Sequence, residues 1–515
     1  MKKAAVLFLA FMLLGLCACS KEDSVPAAQE PVSDPEAVST AAPVSDAMET
    51  VGFYKDIQFY DQWNMDTLLC RVEYPVLIPA GAGAELSAAV DALNARTAAT
   101  AQETYAKLSS SVQADIELKV ENASNYLNYT DAYIMRSDSR ALSVVFRTEN
   151  YTRGIYDSLS FASANFDAAS GKELALGKVV SDMGELGAIL KTALEEKYPK
   201  VEFYGLEASM QQFVETPERF VWALGYQGIS FYFAPYELAG MDAGTLTVGL
   251  RYEDYPQLFS LYYTRQPYSY VVPLVEGECL NYDLDMDGVS DEIRLMPHEE
   301  KGKINGLDIS VASKTFTINT VIESYDAYVI YAGLGRSYLF INAFNGTGYG
   351  YISVYRLERS GASLVGMIYD TSLQAAGFTP ECPGIPLLTQ PENILLGSKI
   401  ELLGTLTGVK TYFIGASGLP ESGDEYYRVY ANTTLTAKTP FATAAIDPAS
   451  GRGLNTAARV EPGTRMYYLR SDGRSFVDMM SEDGVCCRMY VSGRGDAQTV
   501  NGMSVADCFD GVIYN

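Results

Sequence analysis

The chain has 515 residues, a formal net charge of −26 and a single histidine. Its length and its 48% content of apolar residues predict roughly two to four globular domains. Strong negative charge argues against nucleic acid or anionic wall polymers as partners held by bulk attraction, and one histidine excludes a His-rich zinc site.

The first twenty residues have the layout of an export signal. Two lysines precede an apolar run, Ala4 to Leu16, that is shorter than the roughly 20 residues needed to span a bilayer. The letters LCAC, ending at Cys19, resemble a bacterial lipobox. Residues 1–18 are therefore predicted to be a lipoprotein signal peptide and Cys19 the acylated (palmitate-bearing) residue. The alternative is an ordinary cleaved signal and a freely secreted protein.

This signal predicts an extracytoplasmic protein, lipid-anchored to the bacterial cell membrane. Removal of residues 1–18, which carry two lysines and no acidic residue, takes the formal charge from −26 to −28. Residues 19–50 are rich in Ala, Pro, Ser, Glu and Asp and contain few large apolar residues, which is typical of a disordered tether.

Residues 51–265 mix strand and helix patterns and predict an α+β domain. Apolar residues from Leu86 to Leu108 recur every three or four positions, which indicates one face of a long helix. A second helix is predicted around Leu186–Tyr198, with Ser181 as its cap and Pro199 at its end.

Two stretches of this domain resemble a known family. They are FASANFDAASGKELALGKVVSD, which begins at Phe161, and GISFYFAPYELAGMDAGTLTVGLRYEDY, which begins at Gly228. They are similar to the extracellular module of the lysozyme-sensing anti-sigma factor RsiV, a module also found in some peptidoglycan deacetylases. The resemblance implies a wall-facing binding domain. Anti-sigma and deacetylase activity do not transfer, because no membrane-spanning helix, sigma-binding segment or metal-binding histidine cluster follows in this sequence.

Beyond residue 265 the helix pattern nearly disappears. Residues 268–420 predict a β-rich domain of short strands, and residues 424–515 have a turn signal about every ten residues, which predicts a small sandwich or barrel. We expect a small β-barrel or SH3-like domain there, because the segment resembles bacterial SH3-type wall modules. The fold class expected for the whole chain is thus multidomain: an RsiV-like α+β domain followed by mainly-β domains.

The stretch NYDLDMDGVSDEI, Asn281 to Ile293, places four aspartates around one glycine. Ca²⁺ prefers six to eight oxygen ligands, which alternating carboxylates and a backbone carbonyl can supply. The ligands expected here are Asp283, Asp285, Asp287, the carbonyl of Val289, and Asp291. Arg294 stands where an EF-hand has its bidentate glutamate, so the loop resembles the shorter calcium loops that tie strands together. The predicted role is structural, and the alternative is a solvated acidic turn.

Catalysis has little support in the sequence. No G-x-S-x-G, H-E-x-x-H or phosphate-loop motif is present, and only His298 could serve a Ser or Cys triad. We therefore expect a non-catalytic binding module of the bacterial envelope whose partner is an extracellular protein, such as a cationic muramidase, or a peptidoglycan component. The alternatives are a cell-wall glycan hydrolase that uses paired carboxylates and leaves no local signature, and a scaffold in which the β-domains only act as spacers.

Overall fold

The structure is a computed structural model that describes residues 48–120, 123–284, 287–300, 303–312, 314–345, 350–377, 379–380 and 382–514. These described residues form one compact unit. The signal peptide, Cys19 and almost all of the expected tether lie outside the described residues. In the part of the chain described, no helix combines the length and apolar character needed to cross a membrane.

The first part of the chain is α+β, as predicted. Its elements are β1 (Gly52–Asn64), β2 (Thr67–Ala80), α1 (Ala84–Glu117), β3 (Tyr126–Ser137), β4 (Ala141–Thr152), β5 (Ile155–Asp167), α2 (Leu176–Val179), α3 (Met183–Lys197), α4 (Leu206–Glu215), β6 (Val221–Leu224), β7 (Gly228–Phe233), β8 (Leu246–Arg251) and α5 (Leu261–Thr264), with 3₁₀ turns at Pro217–Arg219 and Met241–Ala243.

The two predicted helices form, and one of them differs at its start. Helix α1 buries Leu86, Val90 and Leu93 against the sheet, which confirms the three-to-four spacing. Helix α3 is capped by Asp182, whose side chain accepts a hydrogen bond from the backbone N–H of Glu185 at 2.9 Å. Ser181 was the wrong cap, because its hydroxyl instead donates to the backbone carbonyls of residues 257 and 258.

The middle of the chain is built from strands, with one short helix. Its elements are β9 (Tyr270–Pro273), β10 (Cys279–Tyr282), β11 (Asp291–Glu300), β12 (Lys303–Val311), β13 (Lys314–Ile322), β14 (Ser324–Tyr331), β15 (Ser337–Phe344), β16 (Gly350–Glu358), β17 (Gly361–Tyr369), β18 (Thr371–Ser372), α6 (Leu373–Gly377) and β19 (Ile385–Leu387).

The last part is also strand-rich. Its elements are β20 (Ile394–Glu401), β21 (Thr405–Ile414), β22 (Pro420–Glu421), β23 (Tyr427–Tyr430), β24 (Leu435–Ala437), β25 (Phe441–Ile446), β26 (Gly453–Val460), β27 (Arg465–Ser471), β28 (Phe476–Ser481), β29 (Cys486–Ser492), a 3₁₀ turn (Gly495–Ala497), β30 (Thr499–Val500), β31 (Met503–Ser504), α7 (Val505–Cys508) and β32 (Phe509–Asp510).

Five sheets organise these strands. A six-stranded sheet has the order β19-β1-β2-β3-β4-β5, in which only β2 and β3 are parallel. A three-stranded sheet, β6-β7-β8, packs with α3 and α4 around a second core. The middle strands form a four-stranded sheet, β10-β11-β12-β13, and a five-stranded sheet, β17-β16-β15-β14-β9. The five-stranded sheet is buried on both faces, because one face shares a core with the four-stranded sheet and the other packs on residues 373–396.

Strand pairing crosses the domain boundaries expected from the sequence. Strand β19, within the expected second domain, pairs with β1 of the first, where Leu387 lies opposite Phe53. Strand β21 pairs with β23, where Gly408 lies opposite Val429. The SH3-like barrel expected at residues 424–515 is not confirmed, because its strands continue a larger sheet that begins at β18.

A buried arginine of β3 joins the six-stranded sheet to the three-stranded sheet. Arg136 and Asp138, both at 0% exposure, are linked by the Nε of Arg136 and the Oδ2 of Asp138 at 2.8 Å. The Arg136 guanidinium also donates to the carbonyls of Tyr263 at 2.5 Å, Arg265 at 2.9 Å and Gly225 at 3.3 Å. One side chain of β3 thus holds the turn between β6 and β7 and the segment that follows β8.

We expect Arg136→Met to lower the free energy of unfolding by about 3–5 kcal/mol, because it leaves the Asp138 carboxylate buried without its charge partner. Arg459→Met is the matched control. Its pair with Glu461 is on the surface, with 75% of the arginine side chain exposed, so the change should stay within about 0.5 kcal/mol. Urea unfolding measures both variants. A loss below about 1 kcal/mol in Arg136→Met would contradict the role given to this pair.

Candidate functional site: an acidic cleft between sheets

A cavity of about 270 Å³ lies where three parts of the fold meet. The six-stranded sheet contributes Lys55 and residues 131–134, the five-stranded sheet contributes residues 273–276 and 324–328, and residues 387–389 close it together with Gln374 of α6. The pairing of β19 with β1 brings residues 387–389 to this place. We call this cavity the acidic cleft.

Lys55 of β1 is the one cationic side chain that lines the acidic cleft among the described residues. It is 9% exposed, and its Nζ donates to Oδ1 of Asp131 on β3 at 2.7 Å. Burial alone would lower the pKa of Lys55, but the neighbouring carboxylates of Asp131 and Asp326 outweigh that effect and the pKa is raised. Lys55 therefore stays protonated and its charge is directed to Asp131.

Asp326 of β14 is held by neutral amides. The Nε2 of Gln374 donates to its Oδ2 at 2.8 Å, and the Nδ2 of Asn342 does so at 3.3 Å. Asn342 is fixed in turn, since its Oδ1 accepts from the backbone N–H of Leu373 at 3.1 Å. Burial raises the pKa of Asp326, the charge of Lys55 opposes the rise, and the carboxylate of Asp131 adds to it. The carboxylate is thus oriented without being neutralised.

Glu276 is the third carboxylate of the acidic cleft. Burial raises its pKa, and the positive charge of Arg147 counteracts part of that rise. Arg147 is itself paired with Glu149, with 2.7 Å between Nη2 and Oε1. Three carboxylates and one lysine give the acidic cleft an excess of negative charge.

Two hydroxyl groups in the cleft lack hydrogen-bond partners within the described part of the chain. They are the Oγ1 of Thr389, a residue that is 4% exposed, and the phenolic oxygen of Tyr325. A buried polar group without a partner costs about 1–3 kcal/mol. Burial also raises the pKa values of Tyr325 and Tyr133, so both phenols keep their protons and can donate.

The aspartate loop lies elsewhere, between β10 and β11. Asp283 is buried, and its two carboxylate oxygens accept from the backbone N–H groups of Asp287 at 3.1 Å and Gly288 at 2.8 Å. Gly288 has φ +83, the left-handed backbone that favours glycine. Asp291 is also buried and accepts from the backbone N–H of Leu284 at 3.2 Å.

The predicted ligands are therefore near one another, and they are already engaged. Asp287 pairs with Arg359 at 2.6 Å and accepts from the N–H of Val289 at 2.8 Å. Val289 is half exposed, and Asp285 lies outside the described residues. Among the residues described, no three His, Cys, Asp or Glu side chains are gathered to hold a metal ion. The calcium site stays a prediction.

His298, the single histidine, lies apart from the acidic cleft, and so do Tyr270 and the described cysteines. His298 is on β11 with its side chain 51% exposed, and its Nε2 lies 2.7 Å from Asp308 of β12. Tyr270 is buried between Tyr226 and Tyr331, with ring centroids 4.4 and 5.0 Å away, so it packs the junction between the first and middle parts. The described cysteines, from Cys70 to Cys508, are free thiols.

The cleft residues were missed in the sequence because nothing local marks them. Lys55 and Asp131 are 76 positions apart, and Asp326 belongs to a different sheet. In a chain with 64 acidic residues, no spacing distinguishes these carboxylates from the others. Only the pairing of β1 with β19 and the packing of two sheets bring them together.

Comparisons with known proteins give structural neighbours only. No protein-family model matches the chain, and no curated protein matches it. A member of the DUF3298 family from Bacteroides fragilis is similar at 13% identity over 41% of this chain and 96% of that chain, with a TM-score of 0.32. A DUF3298 family protein from Pseudomonas aeruginosa is similar at 12% identity over 42% of this chain and 98% of that chain, with a TM-score of 0.30. At these scores the similarity carries no conclusion about function.

The raised pKa of Asp326 predicts a pH-dependent stability difference. The fold favours the protonated carboxyl, so wild-type stability falls as pH rises from the ordinary value of 3.8 through the higher folded-state pKa. Asp326→Asn keeps an oxygen acceptor for Gln374 and does not titrate. We expect the free energy of unfolding of the wild type to fall relative to this variant between about pH 4 and pH 7. Urea unfolding at several pH values measures it, and a constant difference would contradict the burial of this group.

Proposed function

We propose that this chain is a non-catalytic binding protein of the bacterial envelope and that the acidic cleft holds part of its ligand. One observation carries the proposal: the cleft combines oriented but unneutralised carboxylates with two buried hydroxyls that have no partner among the described residues. A fold gains nothing by burying such groups unless something else satisfies them.

Location outside the cytoplasm rests on the sequence. The signal-like residues 1–18 and the lipobox-like LCAC support acylation of Cys19 and attachment to the outer side of the membrane. We also propose that residues 51–265 are related to the RsiV-type module, which is consistent with a protein that faces the cell wall. These residues are the α+β part of the structure.

Binding is favoured over chemistry because no histidine lines the cleft among the described residues and Asp131 is already paired with a lysine. Asp131 is paired with Lys55, and Asp326 accepts from two amides. General acid or base catalysis needs a carboxylate that can take up and release a proton at the substrate, and a nucleophile triad needs an oriented histidine. His298 is on an exposed part of β11 and does not line the cleft.

A second candidate function is a cell-wall glycan hydrolase. It is favoured by the raised pKa values of Asp326 and Glu276 in a cleft that also contains Asp131, because glycosidases use one protonated and one ionised carboxyl. A hydrolase would cleave the cell-wall glycan repeatedly, whereas a binding protein would leave the glycan intact.

The partner we propose is a cationic muramidase or a peptidoglycan component. A charge of −28 after signal removal would attract a cationic protein and speed its association, and that attraction weakens with salt. The β-rich parts then either add contacts or act as spacers.

We expect full-length protein from membranes to retain lysozyme or to sediment with purified peptidoglycan sacculi, more at low than at moderate salt. Cys19→Ser, which cannot be acylated, should move from the membrane fraction to the soluble fraction and keep binding. No retention of either partner at either salt would remove the binding proposal. Release of reducing ends from sacculi that stops in Asp326→Asn would establish the hydrolase instead.

We propose separately that the aspartate loop takes up one structural Ca²⁺. The carboxylates of Asp283, Asp285, Asp287 and Asp291 and the carbonyl of Val289 are the oxygen donors that this ion prefers. Their arrangement at a left-handed Gly288 supports the assignment. A bound cation would offset the repulsion among these carboxylates and tie β10 to β11.

Calcium should raise the melting temperature of the wild type above that in a chelator, because a ligand bound only to the folded state stabilises it. Asp283→Asn should abolish this difference. Asp472→Asn is the matched control, because Asp472 also accepts from three backbone N–H groups, those of residues 474–476, in a different turn. It should lower the melting temperature with and without calcium alike. A wild type that melts identically in calcium and chelator would end the proposal.

A further inference from the structure

The charge of the acidic cleft is the first clue to its ligand. The ammonium of Lys55 is bound to Asp131, and in the part of the chain described neither Asp326 nor Glu276 has a lysine or arginine within ion-pair distance. The nearest arginine that influences Glu276, Arg147, is committed to Glu149. Two carboxylates therefore remain for a positive group that the protein itself does not supply.

The hydroxyl groups of Thr389 and Tyr325 are a second observation about the ligand, independent of the charges. Thr389 and Tyr325 line the cavity, and the Oγ1 of Thr389 and the phenolic oxygen of Tyr325 are buried with no partner in the described part of the chain. A hydroxyl can donate one hydrogen bond and accept others. A ligand that satisfies them carries oxygen or hydroxyl groups in addition to its positive charge.

Size and spacing restrict the ligand further. A volume of about 270 Å³ is just below the roughly 300–1,000 Å³ of drug-sized pockets, so a single ring fits and a folded chain segment does not. Among the described residues no three His, Cys, Asp or Glu side chains are grouped so that they could hold a metal ion. The aromatic side chains of Tyr133, Tyr325 and Tyr328 line the cavity, and aromatic faces attract an organic ammonium.

We propose that the acidic cleft binds an amino sugar with a free primary amine, whose ammonium is held by Asp326 and Glu276 and whose hydroxyls bond Thr389 and Tyr325. This assignment rests on the proposed function, since it names the ligand class of the same cleft. An uncharged N-acetylated sugar of the same ring satisfies the hydroxyls and leaves the carboxylates unpaired, so the cleft discriminates against it.

Affinity for an ammonium also depends on pH in a defined direction. Asp326 faces Lys55, Asp131, Gln374 and Asn342, and Glu276 lies near Arg147, Glu149, Glu299 and Asp131. The pKa of each of these two carboxyls is raised, so a larger share of both is protonated in mild acid than is ordinary. Protonated carboxyls do not pair with an ammonium, and binding therefore strengthens as pH rises from about 4 to 7.

Calorimetry with the full chain tests the proposal, using glucosamine and N-acetylglucosamine as probes and the glucosamine disaccharide to separate a free sugar from a chain end. We expect glucosamine to bind at least about tenfold more tightly than N-acetylglucosamine at pH 7, because a hydrogen bond to a charged group is worth about a factor of ten or more. The preference should shrink toward pH 4.

Single substitutions test which side chains produce the preference for glucosamine. Asp326→Asn should weaken glucosamine binding about tenfold and abolish its preference over N-acetylglucosamine, while Thr389→Val should weaken both sugars by a similar factor. Glu461→Gln, which removes an exposed carboxylate paired with Arg459, should change neither. Thermal unfolding of each variant confirms that it is folded, and the wild-type comparison of the two sugars requires no variant.

Equal affinity for the two sugars, or no binding of glucosamine by the wild type, overturns the assignment. If such a protein still retains lysozyme or sacculi, only the ligand class is wrong and the binding function stands. If it retains neither, the function proposed above fails as well. Disaccharide bound as tightly as the monomer indicates that a glycan end enters the cleft, and monomer alone indicates a free sugar; both support the ammonium assignment.

Discussion

The guanidinium of Arg136 is the interaction on which the arrangement of sheets depends. It is fully buried on β3, it is neutralised by Asp138, and its remaining N–H groups donate to three carbonyls from residues 225–265. Tyr226 lies below it with its ring centroid 5.5 Å from the guanidinium carbon, and Tyr226 stacks on Tyr270 at the start of β9. A buried charge is tolerated only with such full pairing, so it fixes the turn after β6 and the segment that leads from the three-stranded sheet to β9. Strand β9, and β14 beside it, follow from that position.

The acidic cleft is a consequence of the same arrangement. Its walls belong to two sheets that meet at an edge, and its third side is closed because β19 returns to pair with β1. Side chains on paired strands have little freedom, so the carboxylate of Asp326 and the ammonium of Lys55 are held in place before any ligand arrives. Preorganised polar groups in a partly desolvated cavity bind more strongly than the same groups in water, because little order has to be created on binding.

The local sequence pattern was sufficient to predict some elements of this structure and insufficient to predict others. Helix α1 was predictable because a three-to-four spacing of Leu86, Val90 and Leu93 has one physical meaning, and the turn at Gly288 was predictable because a glycine follows alternating aspartates. The start of α3 was missed by one residue, since Ser181 and Asp182 can both cap and only the packing of residues 257–258 decides between them. The pairing of β1 with β19 joins residues about 330 positions apart, and no periodicity encodes such a contact.

The carboxylate of Asp326 in the cleft has different partners from the carboxylates of Asp478 and Asp283 elsewhere in the fold. Asp478 is fully buried and is held by both Arg470 at 2.9 Å and Arg488 at 2.7 Å, so its charge is neutralised within the protein. Asp283 has no such pair, and backbone N–H groups of its own loop solvate it. Among the described residues Asp326 accepts hydrogen bonds from two side-chain amides and has no lysine or arginine within ion-pair distance, and two residues of the same cavity carry hydroxyls without a partner. An uncompensated negative charge and hydroxyls without hydrogen-bond partners both raise the free energy of the folded protein. A cationic ligand that carries hydroxyl groups would lower it by pairing with the carboxylate and by bonding the hydroxyls.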